Sequence, residues 1–142
     1  MTSPEKSFFE DDHWCYACGT ENHQGLQLKF EHSQKGQLSS TVIFSKQHQG
    51  FKGVVHGGML AVVLDDIMVN LAWHEKYRVV TGELTLRLKR PAKIGEALSL
   101  LAWFSRIDSK IIYLESSVKN PKGDVVATAK ASCVILTSQS QA

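Results

Sequence analysis

A histidine, two glycines and two acids stand together in the run His56-Gly57-Gly58-Met59-Leu60-Ala61-Val62-Val63-Leu64-Asp65-Asp66. Across residues 59–72 the only polar side chains are Asp65, Asp66 and Asn70. A helix that is apolar on all sides belongs in the protein interior. An ionised carboxylate buried there costs several kcal/mol unless it is paired or hydrogen-bonded. Asp65 therefore needs either a structural partner or a chemical task. Gly57 and Gly58 fall at the start of this helix, where backbone N–H groups lack intrahelical partners and the dipole is positive. Glycine lets a ligand approach that backbone closely, which suits a carbonyl oxygen that gains charge during a reaction. The competing reading is that the two glycines only relieve crowding at a buried helix start.

Asp65 lies eight residues beyond Gly57, so about 12 Å further along a helix axis at about 1.5 Å per residue. A reacting carbonyl needs its oxyanion donor and its base or nucleophile both within about 3 Å. One helix does not readily supply both. Two antiparallel copies do, with the start of one facing the middle of the other, so the spacing predicts a dimer with sites at its interface.

Cysteines are the second source of chemistry. Cys15-Tyr16-Ala17-Cys18 has the CxxC spacing, and Cys133 is the third cysteine of the chain. An odd count without a secretion signal argues against a disulfide framework. No βαβ pattern follows, as a thioredoxin-like motif requires. His13, Cys15, Cys18 and His23 form an H-x-C-x2-C-x4-H run, tighter than common zinc modules. The favoured expectation is a compact turn with reduced thiols and no metal.

These residues must be carried by one domain spanning 142 residues, with 43% hydrophobic and 21% charged side chains. That is the composition of an ordinary globular protein. A net charge of +2 gives no reason to expect nucleic acid or membrane partners. Residues 2–12 are acidic and lack an apolar core, unlike a signal peptide. The apolar run is too short to span a bilayer, and the expected location is the cytoplasm.

Residues 1–14 are expected to be a flexible arm and 137–142 a polar tail. Residues 26–30 alternate apolar and polar, and residues 38–44 are rich in Thr, Val, Ile and Phe. Both read as strands forming a hairpin. The helix is predicted from about Gly57 to Trp73 or slightly beyond, closed by Lys76-Tyr77-Arg78 at the negative end of its dipole. Strands follow over 79–90, 97–107, 111–119 and 125–136. In the first of these, Leu84, Leu86 and Leu88 face one way and Glu83, Thr85, Arg87 and Lys89 the other. Short connections favour antiparallel neighbours. The expected class is α+β: one long central helix wrapped by a curved antiparallel sheet of five to six strands.

The run Gly53-Val54-Val55-His56-Gly57-Gly58-Met59-Leu60-Ala61-Val62-Val63-Leu64-Asp65 resembles the hot-dog-fold acyl-CoA thioesterases of the PaaI type, whose pattern is a His-Gly-Gly turn with an acid nine residues after the histidine. Val80-Thr81-Gly82-Glu83-Leu84, Arg90-Pro91-Ala92-Lys93-Ile94-Gly95-Glu96 and Lys122-Gly123-Asp124-Val125-Val126-Ala127 also match in order, and the opening Cys-x-x-Cys-Gly resembles a leader of one branch. The resemblance implies a hot-dog fold, a homodimer or a dimer of dimers, and cofactor-free hydrolysis of an acyl-CoA. It implies that the Gly57 N–H polarises the thioester carbonyl, with Gly58 beside it, while Asp65 of the partner subunit acts as general base or nucleophile. His56 would hold the turn, and Thr81 would stand where some members place a water-positioning hydroxyl.

One position departs from the pattern. Many relatives carry an amide six residues before the histidine, where this chain has Gly50; the adjacent Gln49 is the candidate substitute. Asp66 is the rival acid, about 100° around the helix from Asp65, and Asn70 reads as a structural hydrogen-bonder. Trp73 and Tyr77 are candidates for lining an acyl pocket or capping the helix. Arg87, Lys89 and Arg90 are candidates for CoA phosphates, with Lys29, Lys46 and Lys52 as competitors. Two other functions compete. One is a non-catalytic acyl-CoA-binding module, which would have no use for Asp65. The other is an enoyl-CoA hydratase or dehydratase, which would use His56 as base.

Overall fold

Helix α1 runs from Gly57 to His74. In the computed structural model, which describes residues 9–32 and 34–137, it lies against one face of a single sheet. The sheet contains β1 (Gln37–Ile43), β2 (Val79–Leu88), β3 (Ala97–Ile107), β4 (Ile111–Lys119) and β5 (Val125–Ile135). Its order is β1-β3-β4-β5-β2, with every neighbouring pair antiparallel. This is the expected α+β hot-dog architecture, with β1 and β2 at the edges. Of the expected arm and tail, residues 1–8 and 138–142 lie outside the described residues.

The helix packs by its period. Leu60, Val63, Leu64, Ile67, Met68, Leu71 and Ala72 are buried, an i, i+3, i+4, i+7 stripe facing the sheet. Small Ala127, Ala129, Ala131 and buried Cys133 of β5 alternate beneath it, with Leu98, Leu100, Ile112 and Leu114 at neighbouring inward positions. Each fully buried Leu, Ile or Met stabilises the fold by about 1.5–3 kcal/mol. The expectation of a helix enclosed on all sides needs correction. Ala61, Val62, Asp65, Asp66, Val69 and Asn70 are only half-buried, because the sheet covers one face.

The helix ends in a Schellman turn. The Tyr77 N–H donates to Ala72 O at 2.9 Å and the Lys76 N–H to Trp73 O at 3.0 Å, with Lys76 in the left-handed region at φ 73°. These bonds satisfy carbonyls that the helix leaves open.

Residues 26–30 do not form the predicted strand. The Leu26 and Leu28 N–H groups donate to Tyr16 O and Ala17 O at 2.8 and 2.9 Å, so these backbone donors bind the cysteine loop and form no ladder with β1. Its links to β1 are a bridge between Glu31 and Ser39 and the Ser40 hydroxyl, which donates to Lys29 O at 2.6 Å. Its alternation reflects Leu28 turned to the core. The sheet consequently has five strands.

A bulge in β2 sets the site. Pairing with β5 runs Thr81↔Cys133, then Glu83↔Ser132 and Leu84↔Ala131, so Gly82 is the extra residue. The insertion puts Thr81 on the same inner face as Leu84, Leu86 and Leu88, although its number has the opposite parity. Bulges re-aim side chains in this way.

Candidate active site

The bulge aims Thr81 at the middle of α1, where its hydroxyl donates to Asp65 Oδ1 at 2.7 Å. The other carboxylate oxygen, Oδ2, takes no hydrogen bond from a described residue. Asp65 is half-buried, so one oxygen is held and one is available. One residue earlier, the buried Ser116 of β4 donates to Leu64 O at 3.1 Å, fixing the helix against the sheet beside the acid. Ser116 was not a candidate from sequence; its only signal is a polar run, Glu115-Ser116-Ser117, inside a largely apolar strand. Cys133 lies 4.0 Å from the Thr81 hydroxyl. Burial pushes its thiol pKa up, and the nearby Asp65 charge adds to this.

At the helix start, His56 is the N-cap, and its Nδ1 accepts from the Gly58 N–H at 2.9 Å. The Met59 N–H returns to His56 O at 2.9 Å. The Gly57 N–H has no hydrogen-bond partner among the described residues and projects from the positive end of an 18-residue helix. A Cβ on Gly57 would stand 2.8 Å from Leu88 Cδ1, so glycine here allows close approach to β2.

Gly57 lines an apolar groove of about 380 Å³ with Phe51, Val54, Val55, Leu60, Leu88 and Ala92, and Lys89 and Arg90 stand at the same groove. Arg90 Nε donates to Val125 O at 3.1 Å. Arg87 points to the outer face of the sheet, beside Thr128 and Lys130. Asp65 is not among the groove's lining residues. The Gly57 amide and the Asp65 carboxylate thus lie at separate places along the helix.

Gln49 is turned to its own loop, with Oε1 accepting from the Gly53 N–H at 3.1 Å. Gly50 lies against His56, whose ring would be 3.4 Å from an added Cβ. Trp73 Nε1 donates to Val79 O at 2.9 Å, with the Arg78 guanidinium 5.3 Å from the ring centroid; it joins the helix end to β2. Tyr77 packs edge-on against Phe104.

Asp66 faces away from Thr81. Its Oδ1 meets Cys15 Sγ at 3.5 Å and Cys18 Sγ at 3.4 Å. Burial pushes its carboxyl pKa above the usual range, opposed by the two thiols. Burial, then the Asp66 charge, pushes the Cys18 thiol up. Asn70 Nδ2 donates to Asp66 O at 2.8 Å and lies 3.6 Å from Cys18 Sγ.

The thioesterase superfamily model matches residues 52–127, from the loop before His56 into β5. No curated protein matches the sequence. Among solved structures, a phenylacetic acid degradation-related protein of Ralstonia eutropha JMP134 is 27% identical, with a TM-score of 0.71 over 78% of this chain and 86% of that one. A thioesterase superfamily protein is 23% identical, with a TM-score of 0.81 over 94% of this chain and 68% of that one. A protein of Streptococcus mutans UA159, solved bound to acetyl CoA, is 16% identical, with a TM-score of 0.73 over 96% and 97% of the two chains.

Proposed function

The chain belongs to the thioesterase superfamily, with the PaaI-type hot-dog fold, and from that premise we propose that it hydrolyses acyl-CoA thioesters at sites shared by two protomers. The observation that carries this reading is the Asp65 carboxylate, tied through Oδ1 to Thr81 at 2.7 Å and unbonded at Oδ2. The reaction is acyl-CoA plus water giving a carboxylic acid and the CoA thiol. The Gly57 N–H of one protomer donates to the thioester oxygen as it becomes an oxyanion. Asp65 of the other takes a proton from water as that water attacks, or attacks directly and is regenerated by hydrolysis of the resulting anhydride. Thr81 is a positioning residue, holding the carboxylate plane. Lys89 and Arg90 at the groove mouth supply positive charge for CoA phosphates.

Two features support the dimer. Edge strand β2 carries Leu84 and Leu88 at 36% and 54% exposure, and an uncovered apolar edge invites pairing with another strand. The half-buried outer face of α1, Ala61, Val62 and Val69, is apolar yet not covered by the sheet. Pairing β2 with its own copy about a two-fold axis covers these surfaces and runs the two helices antiparallel. The three free thiols suit a reducing compartment such as the cytoplasm.

His56 is a poor base for a hydratase, because its Nδ1 is occupied by the Gly58 N–H and the remaining ring nitrogen then carries the proton. A panel of acyl-CoAs with short, long, benzoyl and phenylacetyl groups, followed by thiol release, tests the proposal. Turnover of at least one member supports it. Tight binding of a member with no thiol released from any would establish a binding module instead.

A further inference from the structure

The mid-helix carboxylate that Asp65 chemistry leaves unused stands in an unusual environment. Asp66 Oδ1 is approached by two sulfurs, at 3.5 Å from Cys15 and 3.4 Å from Cys18. Its Oδ2 is buried and has no hydrogen-bond partner among the described residues. An ionised carboxylate so placed leaves one oxygen desolvated and uncompensated, which is costly. A cation between the three side chains would remove that cost.

The distances fit one. Tetrahedral zinc, with Zn–S of about 2.3 Å and Zn–O of about 2.0–2.2 Å, holds its sulfur and oxygen ligands about 3.5 Å apart. The donor atoms of Cys15, Cys18 and Asp66 all lie within 4.8 Å of one another. Asn70 Nδ2 sits 3.6 Å from Cys18 Sγ, the place of an N–H that steadies a metal-bound thiolate.

The loop is built to deliver the two thiols. The Gly19 N–H donates to Cys15 O at 2.8 Å, and a Cβ on Gly19 would meet Cys15 N at 2.4 Å, so only glycine lets the chain fold back there. Residues 26–28 then bind the Tyr16 and Ala17 carbonyls. The histidines of the sequence pattern are elsewhere. His13 pairs with Asp11 at 3.6 Å, and His23 lies 3.4 Å from Gln27.

We infer that Cys15, Cys18 and Asp66 form a zinc site that clips the N-terminal loop to the middle of α1, with a water completing the tetrahedron. Zinc binds as the two thiols lose their protons to solvent, giving a dithiolate carboxylate complex with no change in oxidation state. The third ligand lies about fifty residues away in sequence, beyond any local spacing pattern, so local spacing alone favours a metal-free turn. It does not depend on the thioesterase reading, and its test does not use activity.

The test is metal analysis of the untagged, fully reduced chain by elemental analysis and zinc X-ray absorption, with cobalt substitution as an optical probe. The expected result is one zinc per protomer, a first shell of two sulfurs at about 2.3 Å with oxygen at about 2.0–2.2 Å, and a thiolate-to-cobalt charge-transfer band. Cys15→Ser, at an exposed position that tolerates it, abolishes the two-sulfur shell and weakens zinc binding by more than about 100-fold, while Asn70→Ala weakens it by about 10- to 100-fold. Circular dichroism verifies that each variant is folded. Reduced wild type that takes up no zinc at equimolar metal would overturn the site. So would zinc that stays bound, without sulfur ligands, in folded Cys15→Ser; that result would point to another cluster such as His32, His74 and Glu75.

Discussion

The Thr81 hydroxyl donates to Asp65 Oδ1 at 2.7 Å, joining β2 to the centre of α1 just ahead of the Gly82 bulge. Without the bulge, Thr81 and Leu84 would face opposite sides of the sheet. If the bond orients the acid, Thr81→Val lowers kcat roughly 10- to 100-fold, the scale of a catalytic group misplaced by about 1 Å. KM changes little, and Thr81→Ser restores most of the rate. Steady-state kinetics on the best substrate check this; equal losses in Thr81→Ser and Thr81→Val would assign the residue a packing role.

His56 caps α1 through Nδ1. His56→Ala is expected to cost about 1 kcal/mol of stability, while His56→Asn, a strong N-cap type, loses less. Urea unfolding measures the difference. His56→Asn also retains more thioester hydrolysis than the roughly 100-fold loss that removing a general base brings.

Lys76 occupies the left-handed position of the Schellman turn at φ 73°. A side chain is disfavoured there and glycine is not. Relief of the roughly 1–2 kcal/mol left-handed cost, less the roughly 0.4–1 kcal/mol that glycine's freedom in the unfolded chain takes back, makes Lys76→Gly stabilising by about 0.5–1 kcal/mol. An unchanged or lowered midpoint in denaturant would show that the lysine side chain contributes elsewhere.

Cys133 is buried beneath the helix, and its thiol pKa is raised by that burial and by Asp65. Its thiolate is accordingly scarce at neutral and mildly alkaline pH. In the native protein stripped of metal, an alkylating reagent should label exposed Cys15 and spare Cys133 until the chain is unfolded. Mass spectrometry of the labelled peptides reads the order.

Much of this fold is legible from local pattern. Hydrophobic periodicity and the turns at Asp108-Ser109-Lys110 and Asn120-Pro121-Lys122-Gly123-Asp124 place β3 and β4 at the bounds observed, Ala97–Ile107 and Ile111–Lys119. The Gly-Gly start and the basic segment after the helix bracket α1. Long-range choices are not legible. Residues 26–30 have a strand's alternation but find their hydrogen bonds in the cysteine loop. Gly82 reads as a glycine in a strand, and only pairing with β5 reveals the face it redirects. Gln49 stands next to the expected amide position, yet its side chain closes its own loop. Spacing from His56 favours Asp65 over the adjacent Asp66, but the partners of each are not legible: the strand supplies Asp65 with a hydroxyl and the loop supplies Asp66 with two sulfurs.

The central claim rests on Asp65, and the most direct measurement is the rate of thiol release by Asp65→Asn beside wild type and Asp66→Asn, on an acyl-CoA that wild type turns over. Asparagine keeps the size and can still accept from Thr81, but it cannot take a proton from water or form the anhydride. The account predicts a loss of about 10²–10⁴-fold in kcat for Asp65→Asn with the fold intact, and a smaller loss for Asp66→Asn. Asp65→Asn turning over near the wild-type rate, or Asp66→Asn proving the inactive one, would contradict it.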